Sequence, residues 1–366
     1  MIKVKFIIKV CLYILPVVVA CTNRQNKQNA TESYSVQFDT ILIHLPPNAL
    51  QNYAKIVSDP DNIDLLYGYN HLLHKIDVFD IAKGKFVEDI SLEHEGPNGL
   101  QNISDFVILN NEIYVSQYLF YYKINKVGKV IKKLDKNKVV NIDNANYYLE
   151  RKGLRVANYT ELPINCSVGM LPVSVYTGEN ILKEIGFIEL DSCKYTPFSI
   201  PLPQIKKHYG DLETPNVTWL GDSVIYNFPF SSSIYVFSIT EGTQREIQIQ
   251  SIFTKNLAEP LPENANLRQE TEYQMKSLQF LSIKYDPFRN LFYRVHISPI
   301  SSIEKMPDRD YYFTVMDENF NKINEFKLPS SIFSPLYNIM PQGVVFQMSS
   351  KNIEDENLIG FLCLKI

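Results

Sequence analysis

Along most of the chain, short apolar strands alternate with polar turns, and the pattern repeats as a hairpin. Residues 75–92 read as strand, turn and strand, with Ala82-Lys83-Gly84-Lys85 at the turn, and residues 120–134 repeat this around Lys126-Val127-Gly128. Further copies span 185–202, 233–249 and 311–328, and a half-copy, 358–366, ends the sequence. Most are preceded by a second apolar pair: 106–109 with 113–116, 217–220 with 224–227, and 280–285 with 291–296. Each unit therefore predicts about four short strands in roughly 45–50 residues, the content and period of a propeller blade. Sustained 3.6-residue periodicity is scarce, and the 23 Tyr and 21 Phe favour pleated, half-buried surfaces.

Five complete units and one incomplete unit predict an all-β β-propeller of six blades, with seven as the alternative count. A β-sandwich or a pair of β-domains is the competing architecture, but more regular hairpins recur here than seven to nine sandwich strands require. Longer intervals mark insertions at 137–166 and 251–277, the second able to carry a helix over 264–278. The last unit has three strands, whereas residues 36–45 (VQFDTILIHL) form a strand-like segment with no hairpin partner. That segment is expected to pair beside 358–366 and close the ring, burying Ile41, Leu42, Ile43 and Leu45 and removing an exposed edge.

The N-terminus reads differently. Lys3, Lys5 and Lys9 precede a short apolar run over 10–20, too short to cross a bilayer as a helix, which reads as a signal peptide over 1–20. Val18-Val19-Ala20-Cys21 resembles a lipobox, making Cys21 the expected lipidation site and a stable membrane anchor. Residues 22–33 are almost free of apolar side chains and, with Cys21, form a flexible tether to a single domain over 34–366. Residue 22 is Thr rather than Asp and no acidic cluster follows Cys21. The expected location is thus the outer membrane, facing the periplasm.

Removing residues 1–20 takes three lysines and no acids, leaving 33 basic against 40 acidic groups. No basic stripe stands out, which argues against nucleic acid as a partner. The compartment permits disulfides, and Cys166–Cys193 is the candidate pair; Cys363, between Leu362 and Leu364, reads as a buried strand thiol.

Asn70-His71 through Ile76-Asp77-Val78-Phe79-Asp80, with Gly84-Lys85-Phe86, resembles one repeat of the NHL-type propellers, though the family's usual Arg is absent. The lipobox, Glu95-Gly96-Pro97-Asn98-Gly99 and the segment Tyr285-Asp286-Pro287-Phe288-Arg289-Asn290-Leu291-Phe292-Tyr293-Arg294 carry a broader likeness. On them the chain resembles an uncharacterised family of Bacteroides-type β-propeller lipoproteins, a domain of unknown function (4221-like). The resemblance implies fold and envelope location and supplies no chemistry.

Candidate sites are few. Period two places Arg294 and His296 on one strand face, able to line the channel and take a carboxylate or sulfate, or else to serve an inter-blade salt bridge. Arg289 sits in the preceding turn, and Glu95 and Asn98 could project into the channel mouth. His71, His74 and His94 lack the spacing of a metal site, so no metal and no cofactor are expected. GxSxG, HExxH and P-loop motifs are absent, and Ser302-x-x-Lys305 lacks its partner motifs. The reading favours a non-catalytic binding or scaffolding propeller, held in the membrane by its lipid and taking an envelope protein or glycan. The alternative is an enzyme acting on glycans with acidic residues drawn from several blades.

Overall fold

The period-two alternation resolves into strands almost throughout a computed structural model. It describes residues 36–101, 103–117, 120–135, 146–148, 168–177, 180–189 and 194–366. β1 (Gln37–His44) leads into a first sheet of β2 (Ile56–Ser58), β3 (Leu65–Asn70), β4 (Lys75–Asp80) and β5 (Lys85–Ser91). The second sheet holds β6 (Asp105–Leu109), β7 (Glu112–Ser116), β8 (Phe120–Ile124) and β9 (Val130–Asp135). The third is β10 (Asn146–Tyr148), β11 (Val168–Thr177), β12 (Asn180–Glu189) and β13 (Lys194–Pro197). The fourth is β14 (Asn216–Leu220), β15 (Ser223–Asn227), β16 (Ser233–Ser238) and β17 (Gln244–Gln248). After helix α1 (Leu267–Lys276), the fifth sheet runs β18 (Gln279–Asp286), β19 (Leu291–Ile297), β20 (Tyr311–Met316) and β21 (Lys322–Lys327). The sixth sheet is β22 (Ile332–Met340), β23 (Gly343–Met348) and β24 (Leu358–Lys365), completed by β1.

All strand pairs are antiparallel, and first strands of neighbouring sheets touch: β2 with β6 and β22, and β14 with β18. First strands therefore make the inner ring and fourth strands the rim, which is a β-propeller arrangement. Five of the sheets are described through their side chains, and the third mainly by backbone pairing. The alternative of a seventh sheet has no counterpart among the described residues. Residues 1–35, which hold Cys21, lie outside the described residues, as do Cys166 and Cys193.

Turn chemistry explains why the hairpins form where they do. Asp286 accepts the backbone N–H groups of Phe288 and Arg289, and Asp317 those of Asn319 and Asn321, each carboxylate satisfying the donors a tight turn exposes. Gly128 has φ +79°, and a Cβ there would lie 2.1 Å from the Ser91 carbonyl oxygen, so only glycine lets this turn approach the first sheet. Helix α1 falls inside the expected 264–278 window, started by a capping box in which Asn266 and Gln269 bond each other's backbone.

Ring closure follows the expected pairing. β1 lies antiparallel on β24, from Gln37 opposite Lys365 to His44 opposite Leu358. Ile43 is buried with Tyr53, Leu66, Phe79, Ile359 and Phe361, and Ile41 and Leu45 pack against that cluster. Leu42 departs from expectation and is 48% exposed, because it points to the other side of the strand from Ile41 and Ile43. Between the sixth and first sheets, neutral amides reach across to backbone. Asn338 accepts from Ser58 N–H, Asn52 donates to the Met348 carbonyl, and Gln347 donates to that of Gln51.

Two strand assignments differ from the sequence reading. Residues 137–166 were expected to be an insertion, yet β10 lies within that span. The hairpin read at 185–202 is β12–β13, with β12 starting earlier, at Asn180; the strand before it, β11, was not anticipated, and Pro172 inside it masks it, since proline argues against a strand interior.

Candidate functional site

The candidate pair lies where the fourth and fifth sheets meet. As period two requires, Arg294 and His296 leave β19 on one side, while Tyr293 and Val295 join the core between the fifth and sixth sheets. Arg294 is 1% exposed, and its two terminal nitrogens donate to the carbonyls of Ser232 at 2.8 Å and Ile249 at 3.1 Å. Its guanidinium carbon stands 4.9 Å from the centre of the Phe280 ring. Burial draws its pKa down to about 10.

His296 is fully buried, stacked between Phe280 and Tyr312 with ring centres 5.3 and 5.0 Å away. Its Nε2 lies 3.1 Å from Ser251 Oγ and 3.7 Å from Glu325 Oε1. Burial first, and then the Arg294 charge, pushes its pKa down to about 3, so the ring is neutral at pH 7. Burial opposes ionisation of Glu325, but Lys322 at 2.9 Å, Ser251 and the Ile252 N–H at 2.9 Å outweigh it and hold the carboxyl below its usual range. Sequence reasoning missed Glu325, Ser251 and Lys322; the first and last sit on β21, two strands across the same sheet from His296, and Ser251 comes from the segment after β17.

The expectation that Arg294 and His296 line the channel is corrected. β19 is the second strand of its sheet, and both side chains are covered by the fourth sheet and by residues 249–252. The terminal nitrogens of Arg294 serve protein carbonyls and His296 Nε2 meets a serine, so the cluster ties two sheets together. Arg289 has a comparable role in the β18–β19 turn. It bonds Asp286 at 2.7 Å and donates to the Met340 and Pro341 carbonyls of the β22–β23 turn, fastening the fifth sheet to the sixth. Asp286 also accepts from Tyr293 Oη at 2.7 Å.

Glu95 is exposed in the connection between β5 and β6. Asn98 donates to Glu93 and accepts from the Val130 N–H of β9, which pins that connection to an outer strand rather than directing the amide to the channel. His74 and His94 stack with ring centres 3.9 Å apart, and His71 is exposed. Among the described residues no group of three His, Cys, Asp or Glu side chains is placed to hold a metal.

Exposed apolar side chains recur instead on the connection leading into α1, on α1 and between β19 and β20. Leu267 is 75% exposed and Ile252 73%, and Leu257, Met275, Ile303 and Met306 are exposed nearby in sequence. Arg309 ties the end of α1 to the β19–β20 connection, donating to the carbonyls of Met275 and Ser298 at 2.6 Å and to that of Ser277. The β19–β20 connection carrying Ile303 and Met306 lies at the opposite end of the strands from the β18–β19 turn, which itself meets the β22–β23 turn. Lys365, opposite the first residue of β1, also reaches the β22–β23 turn through the Gln342 carbonyl. The chain thus enters the ring at one end of the strands and presents Ile303 and Met306 at the other. No described helix is long and apolar enough to cross a membrane.

Antiparallel four-stranded sheets around an inner ring, with Arg289, Arg294 and His296 engaged between sheets and exposed apolar side chains on the connections, define a β-propeller. Residues 28–327 match the domain of unknown function DUF4221, and the chain belongs to that family. A crystallised member of the family from Bacteroides vulgatus shares 18% identity and a TM-score of 0.69, over 90% of this chain and 98% of that one. A putative exported protein from Bacteroides fragilis shares 12% identity and a TM-score of 0.50, over 90% and 96% of the two chains. No curated protein sequence matches the chain.

Proposed function

We propose that this protein is an envelope-anchored lipoprotein whose ring binds or scaffolds another envelope component. Cys21 carries the lipid, and the domain faces the periplasm from the outer membrane. Six four-stranded sheets support a ring of six blades. The exported character of the Bacteroides fragilis structure and the Val18-Val19-Ala20-Cys21 sequence support the location. The observation that carries the binding role is the set of exposed apolar side chains on the connections flanking α1, whereas the buried Arg294 already spends its terminal nitrogens on two protein carbonyls. Such patches on a soluble domain mark interaction surfaces.

Two measurements test this reading. Cys21→Ser should move the protein from the membrane to the soluble fraction, and unchanged fractionation would remove the anchor from the proposal. Affinity capture from the protein's own envelope should retain a component that the double variant Ile252→Asp/Leu267→Asp loses while melting like the wild type. Equal capture by both forms, or turnover of an envelope glycan by the purified protein, would overturn the binding role.

A further inference from the structure

Propellers leave the outer strand of every blade with one unpaired edge, and such edges are ordinarily guarded by charge. Four of the outer strands here follow that rule: β5 carries Lys85, β9 carries Lys132 and Lys133, β17 carries Arg245, and β21 carries Lys322 and Lys327. β13 begins with Lys194 and ends at Pro197. β1 is the exception. Its eight residues, QFDTILIH, include no Lys or Arg, and it is the longest of the six outer strands.

The backbone groups on its free edge can be named. The β1–β24 ladder continues with the Leu45 N–H donating to the Asn357 carbonyl, so the odd-numbered residues exchange hydrogen bonds with β24. The N–H and C=O groups of Phe38, Thr40, Leu42 and His44 therefore point away from the sheet, and no described strand pairs with them. Thr40 and His44 are exposed, as is Leu42.

We infer that β1 is the docking edge for a second copy of this chain, joined antiparallel about a twofold axis at Thr40. A twofold pairing joins only residues of the same parity, because it keeps each strand face on its own side. Centred at Thr40, it sets Phe38 against Leu42 of the partner subunit, aromatic against aliphatic, and Thr40 against its own copy, both favourable cross-strand pairs. Asp39 then faces Ile41 of the partner subunit, so the only carboxylate of β1 never meets itself and keeps its contact with Lys365 at 3.7 Å. Both partners supply the same surface, which closes the assembly at a dimer. One strand pair is a small interface, so the association is weak and reversible.

The test is sedimentation velocity over a concentration series on the whole mature chain, carried as Cys21→Ser so that no lipid contributes. The wild-type edge should give a monomer–dimer equilibrium in the micromolar range. Leu42→Lys should abolish it without moving the melting temperature. Thr40→Pro removes an outward N–H alone and should do the same, whereas Ile41→Pro removes an N–H bonded to β24 and should destabilise the fold. A monomer at every concentration, or a dimer that survives Leu42→Lys in a folded protein, overturns the inference.

Discussion

Replacing Arg294 tests whether the buried cluster holds the ring together. Arg294→Ala removes a cation that donates to the carbonyls of Ser232 and Ile249, at 2.8 and 3.1 Å, just before β16 and just after β17, and takes a guanidinium off the Phe280 ring. Each hydrogen bond to a charged group contributes roughly 1.5–3 kcal/mol, and a stranded buried acceptor costs about 1–3 kcal/mol. Relief of burying the guanidinium offsets part of this, so the sum of both bonds overstates the loss. Breaking a buried charge network by removing one member ordinarily costs about 3–5 kcal/mol, and Glu325 is left with one fewer positive neighbour. The expected loss for Arg294→Ala is therefore about 3–5 kcal/mol, a large part of the 5–15 kcal/mol typical of a domain. Arg294→Lys should fall between alanine and wild type, because a single ammonium does not reproduce a planar fork bonded to two carbonyls. Equilibrium urea unfolding followed by intrinsic fluorescence gives both midpoint and slope. A loss below about 1 kcal/mol for Arg294→Ala with an unchanged slope would refute the clamp and return Arg294 to candidacy as a ligand contact.

Three further outcomes follow from the same structure. Deleting residues 34–46 removes β1 and should prevent folding, since Ile43 alone contributes roughly 1.5–3 kcal/mol as an upper bound, whereas deleting 22–33 should leave the melting curve unchanged. Stability should decline as pH falls below about 6.5, by up to ~1.4 kcal/mol per pH unit, because the unfolded chain binds a proton at His296 that the fold refuses down to about 3. His296→Phe keeps the stack on Phe280 and Tyr312 and should flatten that decline in urea midpoints taken at stepwise pH; an equal slope in both proteins would assign it elsewhere. Gly128→Ala should lower the melting temperature more than Gly84→Ala, since both sit at positive φ but only Gly128 has backbone within reach of a new methyl; equal losses would mean the turn can shift.

Much of this architecture can be read from local pattern. Residues 36–45 alternate like a strand yet have no hairpin neighbour, and the C-terminal unit lacks one strand, so their pairing across the chain follows from counting. The β18–β19 turn is equally legible, because Asp286-Pro287 carries its own turn chemistry. β2 is not: three residues give no alternation to detect. The candidate cluster was half legible. Period two correctly put Arg294 and His296 on one face, but whether that face meets solvent or another sheet depends on ring packing, which no local pattern encodes. Glu325, 29 positions beyond His296 on the outer strand β21, carries no sequence mark linking the two.

The pairing of β1 with β24 also sets an order in time. β1 leaves any translocation pore or ribosome first among the strands, while its partner is more than 300 residues behind it. Until Leu358–Lys365 emerges, an apolar strand without a basic residue must wait unpaired, and closing so long a loop makes this contact slow to form. The interval between the two strands is when the chain is most open to wrong partners. A holding chaperone would therefore be needed most for the first strand made, and a chain stopped short of residue 358 should remain an open arc that proteases clear.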